Sequence, residues 1–152
     1  MDVINIIVVD AGHADSGSIT EMFESDADIN VVVSTDDIFK ATKLVMQHRP
    51  DLLLVEASQL HGADASLVSL LYDCSPETKV VLLTDDTSDD DVLACLIEGA
   101  KGYLNRHQTP EVFAKMVKAI YHGEAWVPRT MVALLIDNIA MFNHGALAVA
   151  TH

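Results

Sequence analysis

Two acids end apolar runs, and a hydroxyl and a guanidinium close two others. Ile4-Asn5-Ile6-Ile7-Val8-Val9 runs into Asp10, Leu52-Leu53-Leu54-Val55 into Glu56, and Lys79-Val80-Val81-Leu82-Leu83 into Thr84, while Arg106 follows Gly102-Tyr103-Leu104. Short apolar runs of this kind read as strands buried on both faces of a parallel sheet. Ligands of open α/β sheets bind beyond the carboxyl ends of the strands, so Glu56 belongs at the mouth of whatever site the chain builds. An arginine there offers a planar fork that can hold a carboxylate bidentately.

The elements that must position these residues follow from periodicity. Ile29-Asn30-Val31-Val32-Val33-Ser34 is a further strand. Between the strands, helical spacing links Ile19, Met22 and Phe23, then Ile38, Ala41, Leu44 and Val45 up to Pro50. Leu67, Leu70 and Leu71 mark a third helix, and Val92, Leu93, Leu96 and Ile97 a fourth, closed by Gly99. Pro110 opens a fifth, with Val112, Phe113, Met116, Val117 and Ile120 inward. Five strands alternating with five helices predict an α/β, doubly wound, five-stranded parallel sheet. The expected order, 2-1-3-4-5, sets Asp10 and Glu56 across the switch point from each other.

A sixth helical stretch opens at Pro128. Met131, Leu134, Leu135, Ile139 and Phe142 form its apolar stripe, and Asn143-His144-Gly145 is expected to end it. Intrachain packing, a linker role and a dimer-forming role are all compatible with such a stripe.

Composition narrows the function. The 152 residues carry 23 acids against 9 bases, a net charge of −14, and the bases are scattered rather than striped. Such a surface repels phosphate backbones, so direct DNA binding by this chain is not expected. Met1-Asp2-Val3 opens without a basic region, and no apolar run reaches membrane-spanning length, so a cytoplasmic protein without membrane attachment is expected. Cys74 and Cys95 lack metal-type spacing and read as free buried thiols. Gly12 and Gly17 have the spacing of a phosphate loop, but no lysine follows, which argues against nucleotide binding. Asp85, Asp86, Asp89, Asp90 and Asp91 suit a solvated helix N-terminus; His122 and His144 read as helix-end residues.

Several stretches together resemble the phosphoacceptor receiver domain of bacterial response regulators, in particular the branch carrying a LuxR-type helix-turn-helix. They are Pro50-Asp51-Leu52-Leu53-Leu54, Lys79-Val80-Val81-Leu82-Leu83-Thr84, Gly99-Ala100-Lys101-Gly102-Tyr103-Leu104 and Gly123-Glu124-Ala125-Trp126-Val127-Pro128. The resemblance divides the chain into a receiver domain over 1–127 and a C-terminal helix and tail over 128–152. It implies a switch that takes a phosphoryl group from a histidine kinase onto an aspartate after the third strand, beside Mg²⁺ held by a pair of acids. A hydroxyl and a lysine then bind the phosphoryl oxygens, and an aromatic on the fifth strand moves inward.

Carried over, Asp10, Thr84 and the switch aromatic Tyr103 match. Ala11 stands where the second acid belongs, Glu56 where the phosphoacceptor belongs and Arg106 where the lysine belongs. Losing a carboxylate at Ala11 weakens a Mg²⁺ site that would otherwise rest on Asp10 and Glu56, so no cofactor is expected. Glu56 reaches ~1.5 Å further than aspartate, into the volume a phosphoryl group would fill. A Glu56–Arg106 pair joined to Thr84 would close the site on itself.

The expectation is therefore a degenerate receiver, not an enzyme, acting by phosphorylation-independent dimerisation or partner binding. The resemblance implies that partners meet the face made by the helix at Val92–Ile97, the strand at Gly102–Leu104 and the helix after Pro110. A homodimer is expected, with a histidine kinase or other signalling protein as a further partner. No helix-turn-helix is recognisable after residue 143, so the chain reads as the regulatory part of a longer transcription regulator or as a protein working through a partner. Two other readings stay open: a working phosphoacceptor using Glu56, and a purely structural oligomerisation domain. A glutamate and an arginine at neighbouring strand ends also describe an ordinary ion pair, Thr84 a cap and Tyr103 a core aromatic.

Overall fold

The computed structural model describes residues 2–10, 18–60, 65–85 and 88–150. The apolar runs form five parallel strands, β1 (Ile4–Val9), β2 (Ile29–Thr35), β3 (Leu52–Glu56), β4 (Lys79–Thr84) and β5 (Gly102–Asn105), in the order β2-β1-β3-β4-β5. Alternation along the strands feeds two cores. Ile7, Val9, Leu53, Val55, Val80 and Leu82 face α1 (Ile38–His48), α2 (Ser66–Cys74) and α3 (Asp89–Ile97); Ile6, Val8, Leu52, Leu54, Val81 and Leu83 face Phe23 and α4 (Pro110–Tyr121). The sheet is thus buried on both faces, which explains continuous apolar runs in place of apolar–polar alternation.

Helix ends follow local chemistry. Asp37, Ser88 and Thr109 accept backbone N–H groups of the first turns of α1, α3 and α4. Gly99, at φ 123°, closes α3, and the Ala100 amide reaches back to the Cys95 carbonyl at 3.0 Å. His122 caps α4, as its position suggests, and Lys79 Nζ donates to the Ile120 and Tyr121 carbonyls at 2.8 and 3.1 Å.

Several expectations need correction. The first expected helix is, in its described part, a five-residue 3-10 turn, Ile19–Phe23, with Ser18 as its cap, and a second 3-10 turn at Ala57–Leu60 follows β3. Leu70 lies on the solvent face of α2, and Cys74 is exposed at its end, so only Cys95 is a buried thiol. Burial, with Asp91 and Glu98 adding to it, pushes the Cys95 thiol up to about 11 and leaves it unreactive.

The largest difference lies after residue 128. The last helix, α5 (Arg129–Ala150), does not stop at Asn143-His144-Gly145, and His144 is therefore no helix-end residue. A glycine inside a helix costs only about 1 kcal/mol relative to alanine, and the Ala146-Leu147-Ala148 run beyond it favours continuation. Nor is the expected stripe buried as a unit. Met131 enters the core and Leu135 packs on it, whereas Leu134, Ile139 and Phe142 are exposed.

The start of α5 is pinned to the sheet edge. Trp126 donates to the Lys101 carbonyl and accepts from the Tyr103 amide, both at 3.1 Å, bridging to Gly102 and covering β5 where an open edge would remain. A Cβ at Gly102 would lie 2.6 Å from the Trp126 carbonyl oxygen, so only glycine allows this approach. From there α5 packs against α3.

Candidate functional site

The parallel register gathers the strand ends. Val9 pairs with Val55, so Asp10 and Glu56 leave neighbouring strands at the same level, and Glu56 lies level with Leu83 and next to Thr84. The Arg106 amide donates to the Thr84 carbonyl at 2.9 Å, which brings the residue after β5 to the same edge. Asp10, Glu56, Thr84 and Arg106 are all buried.

The chemistry centres on one contact: Arg106 Nη1 donates to Glu56 Oε1. Charges excluded from water are tolerated only when paired and hydrogen-bonded, and a guanidinium facing a carboxylate meets that requirement. The tie between this pair and Thr84 runs through the backbone. Asp10 Oδ2 accepts the Ile19 amide at 3.0 Å and anchors the 3-10 turn to the end of β1. Ala11, with Gly12 and Gly17 of the glycine spacing and Asp86 of the acidic loop, lies outside the described residues.

Around this centre the mouth is acidic. Asp89, Asp90 and Asp91 occupy the first turn of α3, where Ser88 caps them. Asp85 meets His107 Nε2 at 3.3 Å, an exposed contact that links the turns after β4 and β5 and that sequence reasoning missed, since only the adjacency of these residues to Thr84 and Arg106 hinted at it. Tyr103 is half-buried against the α1–α3 core; burial first, and the Asp89 carboxylate second, push its phenol above its ordinary value. Among the described residues no group of three or more acids, histidines and cysteines is arranged to hold a metal ion.

A doubly wound parallel sheet with acids, a hydroxyl and a cation gathered beyond its carboxyl edge defines an α/β domain whose candidate site lies at the point where the strand order reverses. The sequence matches the response regulator receiver domain over residues 6–118, and the chain belongs to that family. It is 29% identical over 118 residues to the oxygen regulatory protein NreC of Staphylococcus haemolyticus, covering 77% of this chain and 54% of that protein. With NreC of Staphylococcus epidermidis it shares 30% identity over 111 residues, 72% of this chain and 51% of that one. The chain thus spans about half the length of the curated relatives it matches.

Solved structures share the fold. The signal receiver domain of the putative response regulator NarL from Mycobacterium tuberculosis superposes with a TM-score of 0.74 at 22% identity, covering 82% of this chain and all 100% of that one. RcsB, in a structure of two RcsB dimers bound to two parallel DNAs, gives 0.73 at 19% identity, covering 88% of this chain and 68% of that one. No described helix is long and apolar enough to cross a membrane.

Proposed function

We propose that this chain is a receiver domain, residues 1–127, whose strand-end site is held closed from within, with α5 as its output element. It passes on a signal by dimerisation or partner binding that does not depend on aspartyl phosphorylation. It works as a switch and not as an enzyme. The observation that carries this reading is the buried contact of Arg106 with Glu56, at the positions that in the family take up and bind the phosphoryl group. The guanidinium neutralises the carboxylate that would have to attack, and the longer side chain fills the space the incoming group needs.

The donor set also fits Mg²⁺ poorly. Of the acids that would hold it, Glu56 already receives a guanidinium and Asp10 a backbone amide, while Ala11 brings no side-chain oxygen. A magnesium ion demands near-octahedral oxygen coordination, and a fixed positive charge beside it opposes binding.

By analogy with RcsB, seen as dimers on DNA, the unit belongs to a transcription regulator whose DNA contacts lie outside this acidic chain, in the cytoplasm and within reach of a histidine kinase or another signalling protein. A mainly structural, oligomer-forming role is the second reading, favoured by the apolar exposed side of α5.

Intact mass after incubation with a small acyl phosphate and Mg²⁺ tests the closed site. The wild type should stay unmodified, while Ala11→Asp combined with Glu56→Asp should gain one phosphoryl group. If the pair of changes is not enough, adding Arg106→Lys should complete the site. An adduct mapped to Glu56 of the wild type would instead make the chain a working phosphoacceptor of altered chemistry.

A further inference from the structure

We propose that a second copy of this chain docks on α5, helix against helix and in parallel, through Val132, Ile136 and Ile139, with Asn143 in the same seam. The inference names the partner in the dimerisation reading above and is independent of the state of the strand-end site.

The fold divides α5 into an anchored side and a free one. Met131, only 2% exposed, and Leu135 are taken up by the domain's own core. Val132, Ile136 and Ile139 are 41, 61 and 58% exposed, and Asn143 is exposed as well. At ~100° per residue these four lie in one stripe, about a quarter-turn round the helix from the anchored pair. They are separated by four, three and four residues, the spacing of a two-stranded coiled-coil seam. The stripe can therefore meet a partner without disturbing the contacts that hold α5 to α3.

Three features select a second copy as the occupant. A 3.5-residue repeat is complementary to another helix of the same repeat and not to a flat surface or a pocket. Asn143 both donates and accepts, so two of them facing each other satisfy one another, and facing seam residues of equal number define a parallel pair. The third feature is charge. Two chains of net charge −14 repel over most of their surfaces, but from Met131 to Asn143 the only charged residue is Asp137, which lies away from the stripe. An anionic membrane is a poor alternative, since Arg129 is the only lysine or arginine on α5.

Sedimentation velocity on the full chain tests the proposal, comparing wild type with the Ile136→Glu/Ile139→Glu variant. Both positions are exposed, so unchanged circular dichroism and melting are expected for the variant. The wild type should be dimeric, and the variant should dissociate with a Kd raised at least roughly 100-fold. In a Cys74→Ser background, Asn143→Cys should cross-link copies under an added mild oxidant, because Cys95 is buried and parallel pairing brings equal positions together.

A wild type that stays monomeric at roughly 100 μM, or a folded variant that stays dimeric, overturns the seam. A dimer without cross-linking at position 143 overturns the parallel arrangement. An acyl-phosphate adduct on Glu56 would remove the closed-site reading and leave this dimer standing, whereas a monomeric wild type would do the reverse.

Discussion

The strand-end site and the last helix invert the usual distribution of side chains in opposite ways. At the site, Glu56 and Arg106 carry charge into the interior; on α5, Ile136 and Phe142 hold apolar surface in water at 61 and 75% exposure. Globular chains avoid both arrangements unless something compensates, because a buried charge loses its hydration and a clustered exposed apolar face retains unfavourable contact with water. The compensation is internal at the site, where one strand end supplies the counter-ion for another. For the exposed side of α5 no described residue supplies it. The difference teaches that a charge can be carried inside where a neighbouring strand end answers it, whereas an apolar helix face can stay exposed.

Breaking the internal compensation should have the largest effect. Arg106→Ala leaves the Glu56 carboxylate buried without its guanidinium, and chemical denaturation should show a loss of about 3–5 kcal/mol; replacing both residues by apolar ones of similar volume should cost far less. Next comes the anchor of α5. Met131→Ala opens a cavity in the α1–α3 core and should cost about 2–4 kcal/mol by the same measurement.

Between the two regions lies Gly102, on the strand that leads to Arg106 and against the residue that starts α5. Gly102→Ala forces a Cβ onto the Trp126 carbonyl and should cost about 1–3 kcal/mol. Trp126 is the only tryptophan, so its fluorescence should report the displacement directly. On the free side of α5, Phe142→Ser should change monomer stability by no more than about 0.5 kcal/mol, which would sharpen the contrast with Met131.

Much of this was legible in the residues. The apolar runs set the strands to within two residues at each end, and their alternation with helices implied the strand order, because right-handed crossovers leave few alternatives. Strand order in turn brings Asp10, Glu56, Thr84 and Arg106 to one edge. The contacts themselves were legible only in part: an arginine fork and a long carboxylate fit each other, but the anchoring of the 3-10 turn by Asp10 and the His107–Asp85 contact depend on loop paths that periodicity does not encode.

The last helix shows where pattern reading fails. Met131, Leu134, Leu135, Ile139 and Phe142 share an apolar stripe in sequence, yet only Met131 and Leu135 find the core, because Trp126 fixes the point and direction at which α5 leaves the sheet edge. Gly145 looked like a stop and is not one, since nothing after it opposes helix formation. Hydrophobicity announces that a face wants cover and does not say from where.

The most direct test joins the two regions: sedimentation velocity of the wild-type chain before and after treatment with an acyl phosphate and Mg²⁺. A site closed by Glu56 and Arg106 predicts the same distribution of species in both, set by α5 and not by the phosphodonor. A shift between monomer and dimer that appears only with the donor would contradict the account, because it would show that the strand-end site still receives a phosphoryl group and governs assembly.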